Sequence, residues 1–336
     1  MPDLQAPKHR PRGLPLSCAV APALAGCGGT QSVLHPQGPH ADAVADMAMV
    51  LFVAGALIFA AVAAMTAFAL LADPERRAWM AREGFIVAAG IAFPVVTLTA
   101  LLAYALAMSS PFASAAAPAV RIEVTGKQWW WHVRYPGPQG TAGVVTANEV
   151  RVPVGRDVEI ALASDDVIHS FWVPNLAGKL DMIPGRVNRL RLRADRQGVF
   201  RGQCAEYCGG PHARMAFHVV AMPPADFAAW LAQASAPARS PQSELAVQGR
   251  ALFLAGPCAV CHAVRGTSAA GELGPDLTHV GSRPTIGAGL LPNNAGTLAA
   301  WIASSQHLKP GNLMPSFTGY SGMELRALAT FLEELR

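Results

Sequence analysis

Residues 201–215 read RGQCAEYCGGPHARM. Cys204 and Cys208 stand four apart, His212 follows at the same interval and Met215 comes three later, so one short stretch gathers two thiols, an imidazole and a thioether. All are soft or borderline metal ligands. The chain has only six cysteines in 336 residues, and two of them in one loop call for a chemical reason.

The flanking sequence places this loop between β-strands. RIEVTG, NEVRVPVGRDVEIALAS, VNRLRLRAD and MAFHVVAM alternate apolar and polar residues, with Val150, Val152 and Val154, then Val158, Ile160 and Leu162, on one face. Pro-Gly at 136–137 and 184–185 and Val-Gly-Arg-Asp at 154–157 are turn signals between them. Short alternating strands over about 100 residues predict a β-sandwich. A helix, PADFAAWLAQ, closes this unit, and ASAPARSPQS reads as a flexible linker.

Further out, 52% of the chain is hydrophobic and only 14% charged, and the apolar residues concentrate in the first third. AVADMAMVLFVAGALIFAAVAAMTAFALLA, ending at Ala72, and GFIVAAGIAFPVVTLTALLAYALAM, from Gly84 to Met108, are each long enough to cross a bilayer. Arg76, Arg77 and Arg82 lie between them, whereas 28–43 and 109–120 lack Lys and Arg. The positive-inside rule puts the hairpin loop in the cytoplasm and both flanks outside. At the N-terminus, KHRPR, an apolar stretch and LAGC at 24–27 resemble a bacterial lipoprotein signal, which implies cleavage before Cys27 and a lipid on it. Cys18 would leave with that signal, so the external part keeps Cys204, Cys208, Cys258 and Cys261 as two close pairs, read as disulfides or as cofactor sites.

Beyond residue 243 the period becomes helical in ELAVQGRALFLA, TLAAWIASS and MELRALATFLEEL. A domain this small and loop-rich needs a staple. CAVCH, 258–262, supplies the c-type haem attachment pattern, with two thiols for the porphyrin vinyls and His262 for the iron. Met314 in KPGNLMPSF is the expected sixth ligand; His279 and His307 are alternatives, and Met323 reads as helix start or core. The Met314 segment and the helix order resemble class I cytochromes c, which implies that the carbonyl of Pro275 receives the proximal histidine's N–H.

A one-copper cupredoxin loop carries one Cys, one His and one Met and takes a second His from elsewhere. A second cysteine on the loop can bridge a second metal ion, so a dinuclear centre is expected. DDVIHSFWVP offers the missing imidazole as His169, with His218 a weaker candidate on the following strand. Taken together, DVIHSFWVPNLAGKLDMIPG and GQCAEYCGGPHARM resemble the family of cytochrome c oxidase subunits II, from the apolar hairpin to about residue 230. The resemblance implies a dinuclear CuA centre with Cys204 and Cys208 as bridging thiolates, His169 and His212 as terminal imidazoles, and Met215 and the Glu206 carbonyl as weak axial ligands. It further implies that the Glu206 side chain faces a Mg²⁺ at the boundary with subunit I. In GKQWWWHVRY, 126–135, adjacent residues on a strand point to opposite faces, so at least one tryptophan faces outward; the family makes the first, Trp129, an electron-entry residue.

The expected organisation is therefore a multidomain membrane protein: a signal segment over 1–26, an external segment over 27–43, a transmembrane hairpin over 44–108, an all-β cupredoxin-like sandwich over 119–232, a linker over 233–243 and an all-α class I cytochrome c domain over 244–336. The resemblance implies the electron-entry subunit of a bacterial haem-copper oxidase, in the inner membrane with its domains on the periplasmic side. It would pass electrons from a soluble or membrane cytochrome c or a bc1-type donor, through one covalent haem c and two coppers, to subunit I, where O₂ is reduced and protons are pumped. Alternatives are the corresponding subunit of a copper-containing nitric oxide reductase and a copper delivery or storage protein. The sandwich carries thirteen Lys and Arg against nine Asp and Glu, a balance that favours a tethered haem domain over recruitment of a basic soluble donor. No basic run or phosphate loop suggests a nucleic acid partner. Glu83, at the cytoplasmic mouth of the second span, reads as a helix-end charge or a proton-handling residue; its spacing to Pro94 does not match the family.

Overall fold

A computed structural model describes residues 29–109, 118–137 and 143–336. The signal segment and Cys27 expected from the sequence lie outside the described residues. Helix α1 spans Pro39–Leu71, five residues ahead of the expected start at 44, because Pro39 suits a first helical turn that needs no donor there. Helix α2 spans Glu83–Met108. Pro94 cannot donate to the residue four before it, and the turn ahead of it widens into a π segment over Ala88–Ala92. Both helices are long and apolar enough to cross a membrane, with Phe59, Leu70 and Leu71 about three-quarters exposed or more. Such a surface requires lipid or a partner helix.

The sandwich comprises β1 Val120–Lys127, β2 Trp130–Tyr135, β3 Val144–Ala147, β4 Glu149–Pro153, β5 Val158–Ser164, β6 His169–Trp172, β7 Leu180–Met182, β8 Asn188–Leu192, β9 Gly198–Cys204 and β10 Ala216–Met222. One sheet runs β3-β2-β1-β5-β8 and the other β4-β10-β9-β6-β7. The predicted alternation fills the space between them. Val150, Val152, Val158, Ile160 and Leu162 are buried, together with Trp131, Phe171 and Phe217. The three tryptophans do not share a strand: Trp129 sits in the β1–β2 turn, Trp130 starts β2 and Trp131 enters the core. The segment before α1 is pinned to this sandwich, because the Asn175 side chain donates to the Ser32 and His35 carbonyls at 3.1 and 2.9 Å, and the Asp195 amide donates to Gln37.

Helix α3, Pro224–Ser235, covers the end of the sandwich and runs three residues into the stretch expected as linker. That stretch is fastened rather than loose. The Ala238 amide donates to the Arg265 carbonyl, the Gln242 amide to the Glu334 carboxylate at 2.7 Å, and the Arg265 guanidinium to the Ala234 carbonyl. The composition reads as flexible because these partners lie far away in sequence.

The last domain is built on α4 Glu244–Ala255, α5 Ala295–Leu308 and α6 Gly322–Glu334, with a short hairpin of β11 Thr285–Ile286 and β12 Leu291–Pro292. Ser243 caps α4, and Asn294 and Ser321 close capping boxes on α5 and α6. Gly249 lets α4 and α6 cross closely, since a Cβ there would fall 2.0 Å from the Ala327 carbonyl oxygen. The core is Phe253, Leu298, Ile302, Leu328, Phe331 and Leu332. Replacing Leu162, which has no exposed surface between the two sheets, with alanine should cost the sandwich about 2–5 kcal/mol. Thermal unfolding of the purified protein, followed in the β-sheet circular dichroism signal, checks this.

Candidate metal and haem sites

The ligand loop is shaped by sheet register. β9 and β10 are antiparallel neighbours, and the Cys204 amide donates to the Met215 carbonyl at 2.9 Å, closing the loop between them. β6 pairs with β9 so that Phe171 faces Cys204, and the Ala205 amide donates to Ser170. That register brings His169, the first residue of β6, beside Cys204. Gly126 on β1 makes room for the imidazole: a Cβ there would lie 2.7 Å from its Cδ2.

His169, Cys204, Cys208, His212 and Met215 converge here. Cys204 Sγ and Cys208 Sγ are 3.8 Å apart, well beyond the roughly 2.05 Å of a disulfide. His169 Nδ1 lies 3.8 Å from Cys204 Sγ, His212 Nδ1 3.5 Å from Cys208 Sγ, Met215 Sδ 3.8 Å from Cys208 Sγ and the Glu206 carbonyl 3.2 Å from Cys204 Sγ. Cys204, Cys208, Met215 and His169 are buried. The hydrogen bond to Cys208, with further bonds from His169 and the Glu206 backbone, holds the Cys204 thiol far below the ordinary range against its burial. The same coupling pushes Cys208 up. The pair thus gives up its first proton readily, as thiolate ligation of a metal requires. Two sulfurs, two imidazole nitrogens, a thioether and a carbonyl around one point fit a soft, dinuclear copper site. His218 stands apart, half-buried on β10 between Glu149 and Arg201.

Two further members join the site through tertiary contacts. The Asp166 carboxylate accepts from His169 Nε2 at 2.8 Å and from the Gln128 amide at 2.6 Å, orienting the ring so that Nδ1 faces the sulfurs. Burial alone would push His169 down, but the bonds to Cys204 and Asp166 outweigh it and hold it above its ordinary range. An acidic residue three positions before the histidine in DDVIH is the only trace of this in the sequence. Gln128 also donates through its side chain to the Cys208 carbonyl at 2.9 Å, beside the Trp129 indole N–H at 2.8 Å. Gly209 has φ +115, and a Cβ there would lie 2.9 Å from the Trp129 ring, so glycine is required twice over. The Glu206 carboxylate reaches outward to Lys179 at 3.7 Å.

In the helical domain a cavity of about 440 Å³ is lined by Cys258, Cys261, His262 and Met314. His262 Nδ1 bonds the Pro275 carbonyl at 2.7 Å. A carbonyl only accepts, so Nδ1 carries the proton and Nε2 keeps its lone pair. Burial pushes His262 below its ordinary range and keeps it neutral. Gly274 leaves space at the ring, where a Cβ would sit 2.5 Å from His262 Cε1. The Met314 carbonyl accepts from Ser305 Oγ and Gln306 Nε2, both at 2.7 Å, and its amide donates to Asn312 Oδ1 at 2.8 Å. Free thiols, a neutral imidazole and a pinned thioether on one apolar cavity fit a covalent haem. His279, His307 and Met323 do not line it. Trp129 and Trp130 do, from the neighbouring domain.

A family model described as cytochrome c oxidase subunit II, periplasmic domain, matches residues 120–222, and one described as cytochrome c matches residues 246–336. The cytochrome c oxidase subunit 2 of Alkalihalophilus pseudofirmus is 37% identical over an alignment of 349 positions, covering 98% of this chain and 98% of that protein. The cytochrome c oxidase subunit 2 of Bacillus subtilis is 32% identical over 256, covering 73% and 70%. Among solved structures, the periplasmic domain of subunit II of cytochrome oxidase from Bradyrhizobium japonicum is 32% identical, covering 36% of this chain and 96% of that one, with a TM-score of 0.34.

Asp166→Asn keeps the shape but weakens the acceptor behind His169. Competition against a copper chelator should then show copper held roughly 10–100-fold less tightly, with haem content unchanged.

Proposed function

The chain belongs to the cytochrome c oxidase subunit 2 family, and from that premise we propose that it is the electron-entry subunit of a terminal haem-copper oxidase that reduces O₂ to water and pumps protons. Electrons enter at the helical domain and leave from the Cys204–Met215 loop toward subunit I. The two apolar helices anchor it in the inner membrane with both globular domains on the periplasmic side, and Cys27 adds a lipid anchor.

When bound, the haem iron and the copper pair supply one-electron oxidation and reduction. Cys258 and Cys261 would hold the porphyrin, and His262 and Met314 the iron. Cys204, Cys208, His169, His212, Met215 and the Glu206 carbonyl would hold the copper. The protein's own part is to bind, orient and keep these groups dry. Burial of both cysteines and His169 excludes water, and the Asp166 and Pro275 bonds fix the two imidazoles. Rigid ligands lower the rearrangement that accompanies each change of charge. The Glu206 carboxylate, partly exposed at the edge of the loop, would contribute to a Mg²⁺ at the contact with subunit I.

One observation carries this reading: Trp129 lines the cavity of the helical domain while its indole N–H is bonded to the Cys208 carbonyl. The two sites therefore share a residue, which separate copper storage and haem functions would not need. Cys208→Ser should leave the covalent haem in place and bring O₂ uptake by the assembled oxidase to background; uptake at the wild-type rate contradicts the proposal. Met314→Ala should retain haem but lose the low-spin Met/His spectrum and lower the haem's reduction potential, read by optical redox titration.

A further inference from the structure

Lys309 is the C-cap of α5, and only 2% of its surface is exposed. Lysine is almost never so buried without a charged partner. Its ammonium instead meets one carbonyl from each domain, Trp129 of the sandwich at 2.7 Å and Gly287 of the helical domain at 3.1 Å. Both bonds exist together only while the domains are in contact. Two neighbouring contacts reinforce the seam: the Ala216 amide donates to the Ala288 carbonyl at 3.0 Å, and the Arg214 guanidinium to the Leu308 carbonyl.

The same residue is tied to the expected sixth ligand of the iron. The Lys309 carbonyl accepts from Asn312 Nδ2 at 2.7 Å, and Asn312 Oδ1 accepts from the Met314 amide at 2.8 Å. A short chain of bonds therefore runs from Trp129 through Lys309 and Asn312 to Met314. Burial pushes the Lys309 amine down to about 7, which shows how far the contact removes it from water.

We propose that Lys309 is a positioning residue for electron transfer between the two domains: its bond to the Trp129 carbonyl seats the Met314 loop against the tryptophan that is bonded to Cys208. The proposal rests on the reading of the chain as an electron-entry subunit. Lys309 lines the same cavity as Met314 and acts by fixing the separation of the two sets of proposed ligands. A domain held by the linker alone would have to diffuse back onto Trp129 before each transfer.

The test uses the full chain in the assembled oxidase, with an electron injected into the helical domain by a flash-excited ruthenium complex. Lys309→Met removes the ammonium and keeps the stem. It should slow transfer to copper by about tenfold or more, because a fixed contact gives way to repeated docking, and make the rate fall with added glycerol. The haem spectrum and the copper EPR signal should stay as in the wild type. An unchanged rate without viscosity dependence overturns the proposal. Should Lys309→Met lose haem, Lys309→Gln, with a shorter stem and a neutral amide, is read by the same two outcomes. Absence of any transfer in the wild-type chain would refute the electron-entry reading itself, a result distinct from equal rates in wild type and variant.

Discussion

Everything in the two globular domains depends on keeping two sulfurs 3.8 Å apart without letting them bond. A loop left to itself would let Cys204 and Cys208 close on each other in an oxidising compartment. The sandwich prevents this by fixing one end of the pair. Cys204 is the last residue of β9, locked by its amide bond to Met215 and by the register of β9 with β6. Cys208 is held from the other side, its carbonyl gripped by Gln128 and Trp129. The hydrophobic core between the sheets is thus what sets the spacing of the ligands, and His169 falls into place because its strand is part of the same sheet.

The helical domain extends the same logic. Its cavity opens toward Trp129 and Trp130, and its Met314 segment is fixed by Ser305, Gln306 and Asn312. The seam between the domains carries a set of directed bonds: Lys309 to Trp129, Ala216 to Ala288 and Arg214 to Leu308. Directed bonds fix orientation, which matters more to transfer over a short distance than binding strength does. The fastened linker, through Ala238 and Gln242, restrains the opposite end.

Much of this was legible in the sequence because the chemistry is local. Cys204, Cys208, His212 and Met215 lie on one loop, and Cys258, Cys261 and His262 on one turn, so spacing alone exposed both sites. The alternation of Val158, Ile160 and Leu162 predicted the sandwich because each strand reports its own buried face. His169 was harder, since it meets Cys204 only through the pairing of β6 with β9. Asp166, Gln128 and Lys309 escaped notice because each acts across a tertiary contact. The linker was misjudged as loose for the same reason: Pro, Ser and Ala describe its own preferences, whereas Arg265 and Glu334 hold it from elsewhere in the fold.

On the proposed reading, the second thiol makes one centre out of two metal ions. EPR of the copper-loaded protein, poised with one electron in the site, tests this directly. The expected result is an unpaired electron coupled equally to two copper nuclei, and two coppers per chain by metal analysis. A spectrum of a single localised cupric ion, or no copper signal at all, would contradict it.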